Sequence, residues 1–356
     1  MIDQPVDAPM RSSRTARDQL PITGEPRSMT TSRGCAITGW GVALPERVVT
    51  NADLTTIFET SDQWIVERSG IRNRRVATGP FVPEQPPAHP PDGLGTTATL
   101  AIEAARGSLA HAGLRGADVD MVIVCTMTPD QVIPATSAPV AAQLGITGGA
   151  MDINAACAGF TYGLVTAAGM IAAGVDRVLL VGADTMTRAT NWQDRTNAFL
   201  FGDGAGAVVL EATAGSSALL GWDLGVDGTL AEILYADHGQ GMVMKGQEVF
   251  RRAVLAAADS ATLSLERAKV RAEEVSLFVP HQANLRIMTA VAQRLGITED
   301  KVASVIEETG NTSSASIPLA LVDAVESGRL HDGDLVLMAG FGSGLAWATA
   351  VWRWGR

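Results

Sequence analysis

The chain has 356 residues, 46% of them hydrophobic and 18% charged, which is enough apolar sequence for two core units or one large α/β body and excludes a disordered chain. Its formal net charge of −11 argues against a nucleic-acid binder held by phosphate contacts. Its apolar runs are shorter than the roughly 18 residues that a membrane helix requires, so we expect no membrane-spanning segment.

Residues 1–33 are predicted to form a disordered leader. The segment is polar, is rich in Arg, Ser, Thr and Pro, and lacks the apolar stretch of a secretory signal. Met29 directly precedes the first predicted strand, which is consistent with an upstream start or an extension. An Arg-rich transit peptide is the alternative.

The next segment contains one predicted strand, two short helices and a long loop. Ala36–Val42 has the pattern of a strand, Asn51–Phe58 that of a short helix capped by Asn51, and a further helix is expected after Ser61. Residues 79–95 contain six prolines, which exclude a helix or a central strand. We therefore expect an exposed proline-rich loop there.

After this loop, helices alternate with short apolar strands. Thr97–Ala112 is an alanine-rich helix, and Met121–Thr126 is a β-branched run typical of a strand buried on both faces. Further strands are predicted at Arg177–Val181, Leu277–Pro280 and Leu335–Met338. Such alternation is the pattern of a mostly parallel sheet with helices packed on it.

The two halves of the chain repeat the same signals in the same order. Each has an apolar strand, then Leu-Gly-Ile (144–146 and 295–297), then a polar or reactive residue (Cys157 and Asn311), then a small residue with Gly (173–174 and 327–328) and a second strand. Seventeen residues separate Cys157 from Gly174, and seventeen separate Asn311 from Gly328. Chance matches in an Ala- and Gly-rich chain are the alternative, but order and spacing together favour a duplication. A pseudo-twofold would bring Cys157 and Asn311 to one central site.

Cys157 is a candidate nucleophile. It lies in NAACAGF between an apolar stretch and a helical pattern, so we expect its thiol at a strand-to-helix turn. A helix N-terminus there favours the thiolate and lowers a pKa that is about 8.5 in a free cysteine. The alternative is an inert core residue. Cys35 and Cys125 lie in strand-like apolar surroundings and are predicted core residues.

Two further segments carry polar groups that can face the same site. His281 leaves the end of a predicted buried strand, where ligand-facing groups collect in α/β sheets, although a structural histidine is the alternative. Asn311 is either a turn-capping residue or, through its place opposite Cys157 in the repeat, part of the site. The glycine-rich turn at 341–344 can turn backbone N–H groups toward it. The absence of CxxC and of His-rich tracts predicts no metal site.

Together these motifs resemble the β-ketoacyl-acyl carrier protein synthase III family. The resemblance covers Ala36 to Arg353 and rests on AACAGF, FLFGDGAGAVVLE, MKGQEVF, VPHQANLRI, GNTSSASIPLAL and FGSGLAW, extended by TNADL, SDQWI and SGIRNRR near the start. It implies the thiolase fold, in which two duplicated halves form a five-layered α/β/α/β/α body. The halves are expected at residues 34–212 and 213–356.

The resemblance also implies a reaction without a permanently bound cofactor or a metal. Cys157 would take an acyl group from a coenzyme A thioester, and the acyl-enzyme would condense with malonyl-acyl carrier protein and release carbon dioxide. His281 and Asn311 would be neutral donors to the enolate, and the backbone N–H groups of Cys157 and Ser343 would form the oxyanion hole. Relatives often have Gly where Ser343 stands, so its side chain is expected to narrow the pocket or alter the turn.

The resemblance assigns binding roles to several other positions. The residues matching the coenzyme A site of relatives are Thr60, Trp64, Arg68, Arg195, Gly246, Phe250 and Asn284, although exposed arginines are usually only solvated. Arg251, Arg252 and Arg286 would form a local basic patch for an acidic carrier protein. Ile133 matches a residue that crosses a homodimer interface to line the partner's acyl pocket. Its aliphatic side chain, where acetyl-using relatives often have an aromatic, would admit a branched or longer primer.

Two other functions remain open at this stage. One is an acyltransferase on the same scaffold that moves an acyl group to a hydroxyl or an amine without decarboxylation, and the other is a non-catalytic scaffold subunit. The presence of both His281 and Asn311 favours condensation, and the intact motif around Cys157 argues against a scaffold. We expect a cytoplasmic homodimer that initiates fatty-acid or polyketide synthesis, with no nucleic-acid or membrane partner.

Overall fold

The computed structural model describes residues 33–77, 95–237 and 241–355 of the chain. The predicted leader, apart from its last residue, and the proline-rich loop, apart from Gly95, lie outside these residues. Arg33, which we placed in the leader, is instead the first residue of a strand. The predicted boundary between residues 212 and 213 falls inside a strand that runs from Asp203 to Ala214.

The regular elements alternate between strands and helices along most of the chain. In chain order they are β1 (Arg33–Ala43), β2 (Val48–Thr50), α1 (Asn51–Leu54), α2 (Asp62–Ser69), β3 (Asn73–Arg75), α3 (Thr97–Ala112), β4 (Met121–Cys125), α4 (Ser137–Leu144), β5 (Gly149–Ile153), α5 (Gly159–Ala172), β6 (Arg177–Thr185), β7 (Asp203–Ala214), β8 (Leu219–Val226), β9 (Leu234–Tyr235), β10 (Val243–Met244), α6 (Gly246–Ala268), β11 (Leu277–Pro280), α7 (Leu285–Leu295), α8 (Ile306–Thr309), α9 (Ser316–Glu326), β12 (Leu335–Gly342) and β13 (Ala346–Arg353).

Two large sheets have the same strand order and the same strand directions. The first is β1-β7-β6-β4-β5 and the second is β8-β13-β12-β11. In both sheets the first two neighbouring pairs are antiparallel and the pairs that follow are parallel. An isolated parallel bridge between Phe278 and Val302 stands where the first sheet has β5. The predicted duplication is therefore confirmed at the level of topology.

The repeated Leu-Gly-Ile signals end equivalent helices. Gly145 ends α4 with a φ of 70°, and Gly296 ends α7 with a φ of 71°. Glycine is the residue that adopts this left-handed conformation without a steric penalty, so each signal is a helix C-cap. Each helix leads to the position at the edge of its sheet, which is β5 in the first half and the Val302 bridge in the second.

The helices and the two large sheets of the described residues form five layers, which pack on one another through apolar side chains. On the outer side of the first sheet, α3 and α4 pack against alternate residues of β4, such as Val122 and Val124. The opposite face of β4, with Ile123, packs on α5 and α9, which in turn contact the second sheet. On the far side of the second sheet, α6 and α7 cover residues such as Phe278. This is the predicted α/β/α/β/α arrangement, and it is confirmed.

The elements around the first helices differ in part from the prediction. The helix expected over Asn51–Phe58 spans four residues, Asn51–Leu54, and its N-cap is Thr50, whose hydroxyl accepts from the Asp53 N–H. Asn51 cannot cap because its side chain is buried and engaged elsewhere: its amide donates to Asp62 and its oxygen accepts from Arg74. The helix expected after Ser61 is α2, which Ser61 caps.

Within the described residues, no helix combines the length and apolar character that crossing a membrane requires.

Candidate active site

Three of the predicted site residues line one cavity of about 850 Å³. Cys157 lies in the turn between β5 and α5, His281 directly follows β11, and Asn311 follows α8. The first half thus contributes one of these side chains and the second half contributes two, from equivalent ends of the two sheets. All three residues are buried, with 8%, 1% and 6% of their surface exposed.

The turn that carries Cys157 is held against the end of β12 by two glycines. A Cβ on Gly342 would lie 2.6 Å from the backbone nitrogen of Cys157, and one on Gly340 would lie 2.9 Å from the Cα of Ala158. No side chain fits at either distance, so this close approach requires glycine at both positions. The approach brings the glycine-rich turn after β12 next to Cys157.

Burial dominates the protonation of Cys157. Removal of the sulfur from water raises the pKa of the thiol to about 12, an effect that the nearby Ser313 side chain reduces and the charge of Asp184 increases. The predicted lowering of the pKa is therefore wrong. α5 begins at Gly159, two residues beyond the cysteine. Burial thus favours the neutral thiol over the thiolate.

His281 is held in a fixed orientation at the back of the cavity. Its backbone N–H donates to Ala339 (2.7 Å), its Nδ1 lies 2.7 Å from the Ser316 hydroxyl, and its ring meets Phe341 edge-on. Burial lowers the pKa of the imidazole to about 3. His281 is thus uncharged at neutral pH and can act as a neutral hydrogen-bond donor.

This low pKa makes the stability of the fold depend on pH. Below pH 6.5 the unfolded chain binds a proton at His281 and the folded chain does not, so the free energy of unfolding falls as the pH drops from 6.5 toward 3. Between pH 7.5 and pH 5.5 this loss is on the order of 1 kcal/mol. Urea unfolding of the wild type and of His281→Asn at both pH values, at one protein concentration, measures it. An equal loss in both proteins would contradict the assignment.

Asn311 has both of the roles that the sequence left open. Its backbone N–H donates to Leu200 (2.8 Å), and its Oδ1 accepts from the Ser313 N–H (2.9 Å) in the turn that leads to α9. Because the amide oxygen is occupied by this local bond, the Nδ2 hydrogens remain for the cavity that the side chain lines.

A buried carboxylate supports the segment after Asn311. One oxygen of Asp184, on β6, accepts from the hydroxyls of Thr126 and Thr128 and from the N–H groups of Met127 and Thr128. The other accepts from both the N–H and the hydroxyl of Ser314. A buried charge needs such a complete set of donors. Asp184 therefore ties the first half to the loop that positions Asn311.

Ser343 lies at the cavity wall and its side chain is engaged. It begins a short 3-10 helix, Ser343–Leu345, that directly follows β12. Its hydroxyl donates to the carbonyl of Leu234 on β9, another residue that lines the cavity. A glycine at this position could not make this bond. The serine thus joins the glycine-rich turn to the segment that covers the cavity.

Six of the seven residues matched to coenzyme A binding line the cavity: Trp64, Arg68, Arg195, Gly246, Phe250 and Asn284. Thr60 is not among the lining residues. The Arg68 guanidinium lies 4.2 Å from the Trp64 ring centroid, and that of Arg195 lies 5.7 Å from it. A base stacked between two flat groups needs them about 7 Å apart, twice a van der Waals separation. The slot between Arg195 and Trp64 is therefore too narrow for a base until it opens.

The amide of Asn284 is already occupied within the protein. Its Nδ2 donates to the carbonyl of Arg68 (2.8 Å), and its Oδ1 caps α7 by accepting from the Arg286 N–H (2.9 Å). The side chain therefore joins α2 to α7. Arg286 lines the cavity mouth over the ring of Phe250, at 5.8 Å from its centroid.

The remaining predicted residues lie on the surface. Arg251 and Arg252 are exposed on α6 and are not among the lining residues. Ile133 is 84% exposed, as is its neighbour Val132, and it does not line this chain's own cavity.

Cys35 and Cys125 are buried core residues, as predicted.

The residues that support Cys157, His281 and Asn311 were not predicted from the sequence. Asp184 gave no signal beyond a polar position at the end of a buried strand. Ser313 and Ser316 were not singled out as site residues. The sequence did contain a run of hydroxyl residues from Thr312 to Ser316 directly after Asn311. The structure shows that this run is almost wholly buried. Buried polar residues in such number need partners and often surround a functional site.

Comparisons with known proteins agree with this geometry. Residues 151–228 match the family model described as 3-oxoacyl-[acyl-carrier-protein] synthase III, and residues 265–354 match the model of its C-terminal part. A Geobacillus kaustophilus protein named β-ketoacyl-[acyl-carrier-protein] synthase III is 43% identical over 325 residues, which cover 91% of this chain and all of that protein.

Two solved structures extend the similarity to the fold. The 3-oxoacyl-[acyl-carrier-protein] synthase III of Aquifex aeolicus superposes with a TM-score of 0.84 at 40% identity and covers 90% of this chain and 100% of that one. The priming β-ketosynthase from the R1128 polyketide biosynthetic pathway superposes with a TM-score of 0.81 at 36% identity and covers 90% and 96% of the two chains.

Proposed function

We propose a residue-level mechanism from the premise that this chain belongs to the β-ketoacyl-[acyl-carrier-protein] synthase III family. The protein is an enzyme that condenses an acyl primer with a malonyl group and so initiates fatty-acid or polyketide synthesis. The observation that carries the assignment of roles is the meeting of Cys157, His281 and Asn311 in one buried cavity.

In the first step the sulfur of Cys157 attacks the carbonyl carbon of an acyl-coenzyme A thioester. The new carbon–sulfur bond to Cys157 forms, the bond to coenzyme A breaks, and the thiol proton ends on the departing coenzyme A sulfur. No net proton is gained or lost, which suits a resting neutral thiol. The backbone N–H groups of Cys157 and Ser343 stabilise the tetrahedral oxyanion in this scheme.

In the second step a malonyl thioester enters and loses carbon dioxide. The electrons of the broken carbon–carbon bond form an enolate, whose oxygen is stabilised by N–H groups of His281 and Asn311. The enolate carbon then attacks the carbonyl carbon of the acyl group on Cys157, the carbon–sulfur bond breaks, and the released thiolate takes up a proton from solvent. Two uncharged donors suit this step, because a cationic histidine would hold the carboxylate that must leave as carbon dioxide.

Burial of His281 also favours condensation over acyl transfer to a hydroxyl or an amine. Moving an acyl group to a hydroxyl or an amine calls for a general base with a pKa near the working pH. An imidazole with a pKa of about 3 is a poor base at pH 7 but a good neutral donor. This supports decarboxylative condensation over acyl transfer to an alcohol or amine.

Intact-mass spectrometry tests the scheme directly. After incubation with a series of acyl-coenzyme A thioesters, we expect one acyl adduct, located on the Cys157 peptide. Malonyl-acyl carrier protein should discharge it with release of one carbon dioxide per product, and alcohols or amines should not. Discharge by an alcohol or amine without carbon dioxide would contradict condensation, and the absence of any adduct would support a non-catalytic protein.

The cavity also supports a proposal about the primer. Its lining includes aliphatic, aromatic and thioether side chains from Met127, Met186, Phe201, Leu234 and Met242. Methionine adapts its shape to different apolar partners. With the aliphatic Ile133 expected from a partner subunit, such a wall favours a branched or longer acyl group.

A homodimer is supported by an open sheet edge and by two exposed apolar side chains. β5 is the edge strand of the first sheet, and an unpaired edge is a template for pairing with another chain. Val132 and Ile133, in the loop before α4, are each 84% exposed. We propose that β5 pairs with its counterpart in a second copy and that Ile133 enters the partner's cavity.

Light scattering with size-exclusion chromatography tests the dimer. Val132→Glu combined with Ile133→Glu should give monomers, because two charges would be buried at the interface. Val226→Glu is the matched control, since Val226 is an exposed apolar residue on an edge strand of the other sheet. Ile133→Phe should leave the dimer intact and shift the preference toward smaller primers. A charged double variant that stays dimeric would rule out this interface.

The carrier protein and coenzyme A are proposed to share the cavity mouth. Arg251, Arg252 and Arg286 expose basic groups near it on a chain with a net charge of −11. Such a patch favours an acidic carrier over non-specific anions. Trp64, Arg68 and Arg195 offer an indole and two guanidinium groups to the adenine and phosphates of coenzyme A, which is a substrate and not a permanently bound cofactor.

The free cysteines suit a reducing, cytoplasmic setting in this proposal.

A further inference from the structure

A buried serine contacts the imidazole of His281 on the side opposite the cavity. The Ser316 hydroxyl oxygen lies 2.7 Å from Nδ1 of His281. Ser316 is the first residue of α9, and His281 follows β11, so the contact joins two separate elements. Both residues are buried, with 0% and 1% of their surface exposed. Water therefore has little access to this hydrogen bond.

A second contact of Ser316 determines the direction of this bond. The Gln282 N–H donates to the same hydroxyl oxygen at 3.3 Å. The oxygen thus acts as an acceptor toward Gln282, and its own proton still needs an acceptor. Among the described residues, Nδ1 of His281 is the acceptor within hydrogen-bond distance of this hydroxyl. The geometry therefore favours a Ser316 O–H that donates to Nδ1.

The opposite arrangement is penalised. If Nδ1 carried the proton, it would donate to the Ser316 oxygen, which would then accept two N–H groups. The hydroxyl proton would have no acceptor in a site that water does not reach, and an unpaired buried donor is costly. Only one of the two neutral forms of His281 therefore satisfies every polar group around Ser316.

The Gln282 N–H cannot turn away from Ser316, because its side chain fixes the local backbone. The amide nitrogen of Gln282 donates to the carbonyls of Pro280 (2.7 Å) and Ala303 (3.2 Å). Its amide oxygen accepts from the Val305 N–H (3.0 Å). Gln282 is fully buried and uses all of these bonds within the protein. These bonds hold the segment that follows β11 in place, so the Gln282 N–H keeps facing the Ser316 hydroxyl.

We infer that Ser316 is a positioning residue that holds His281 in the neutral form with its proton on Nε2. This inference rests on the proposed function, in which His281 donates to the enolate. With Nδ1 engaged by Ser316, the Nε2–H is the hydrogen that the ring presents to the cavity. The serine acts on the reaction through the imidazole and touches neither the primer nor the malonyl group.

Nitrogen-15 NMR of histidine side chains tests the assignment without any substrate. The wild-type signal of His281, identified by its loss in His281→Asn, should show a protonated Nε2 and an unprotonated Nδ1 at pH 7. In Ser316→Ala we expect a mixture of the two neutral forms. Ser264→Ala is the matched control, because Ser264 is equally buried and its hydroxyl bonds to Thr349 on β13, away from the cavity. It should leave the His281 signal unchanged.

Activity provides the second readout. Ser316→Ala should acylate Cys157 at close to the wild-type rate and lose about tenfold in malonyl decarboxylation and condensation, the effect expected when one buried hydrogen bond that fixes a catalytic group is removed. The Ser264→Ala variant should retain both half-reactions.

The possible results separate this inference from the proposed function. A wild-type His281 protonated on Nδ1 overturns the inference, as does a Ser316→Ala protein in which Nε2 alone remains protonated. The wild-type measurement is decisive even if Ser316→Ala fails to fold. A mixed signal in Ser316→Ala without slower condensation supports the positioning by Ser316 and contradicts the role of His281 as the enolate donor.

Discussion

Cys157→Ala is expected to abolish acyl-enzyme formation and to lower condensation on the order of 10⁴-fold, because the covalent intermediate cannot form. The loss of one sulfur atom is tolerated by the fold, since the neighbouring residues in the turn are small. Incubation with acyl-coenzyme A followed by intact-mass spectrometry should show no adduct. Steady-state turnover with malonyl-acyl carrier protein measures the rate.

The same variant should uncouple the two half-reactions. His281 and Asn311 keep their hydrogen bonds to Ser316 and Ser313, so malonyl decarboxylation is expected to continue without carbon–carbon bond formation. Carbon dioxide release without product is the signature. Cys125→Ala is the matched control, because Cys125 is also buried but lies on β4 within the core, and it should keep both the adduct and turnover. An acyl adduct on Cys157→Ala would refute the assignment.

Removal of either enolate donor should have the second-largest effect. His281→Ala and Asn311→Ala should each slow malonyl decarboxylation and condensation by about 10²–10³-fold, the usual cost of one oxyanion donor. Acylation of Cys157 should proceed in both, because that step uses backbone donors. Because the two donors share one oxygen atom, the double variant should lose less than the product of the single effects.

Asn311→Ala also removes a structural bond, so a second variant isolates the donor. In Asn311→Asp a carboxylate oxygen can still accept from the Ser313 N–H, while the Nδ2 donor is lost. We expect it to acylate normally and to lose condensation as Asn311→Ala does. Single-turnover assays of each half-reaction make the distinction. Full condensation by Asn311→Asp, or by His281→Ala, would show that the enolate is stabilised by other groups.

Local sequence patterns predicted the elements and their repetition well. The bounds of α3 and β11 match the prediction because each depends on apolar periodicity and on capping or breaking residues within a few positions. The Leu-Gly-Ile signals marked two equivalent helix ends for the same reason. The cap of the helix at Asn51 was predicted wrongly, because the burial of the Asn51 side chain against Arg74 involves a residue that is distant in the chain.

The protonation states around the nucleophile depended on burial, and the sequence alone gave the wrong sign for Cys157. Its position before a helix predicted a lowered pKa, whereas burial raises the pKa of the thiol to about 12. Burial is produced by the approach of Gly340 and Gly342 on β12, almost two hundred residues further along the chain. A local motif contains no information about such a neighbour.

The sequence by itself determined the alternation of strands and helices, the duplication of two halves and the identity of the residues that meet at their junction. The tertiary structure alone decided which groups support those residues: Asp184 behind the Asn311 loop, Ser316 behind His281, and the narrow slot between Trp64 and Arg195. The physical reason is one of range. Periodicity, caps and turns act between neighbours in the chain, whereas desolvation and the direction of a hydrogen bond depend on atoms brought together only when the two sheets and their shared helices pack.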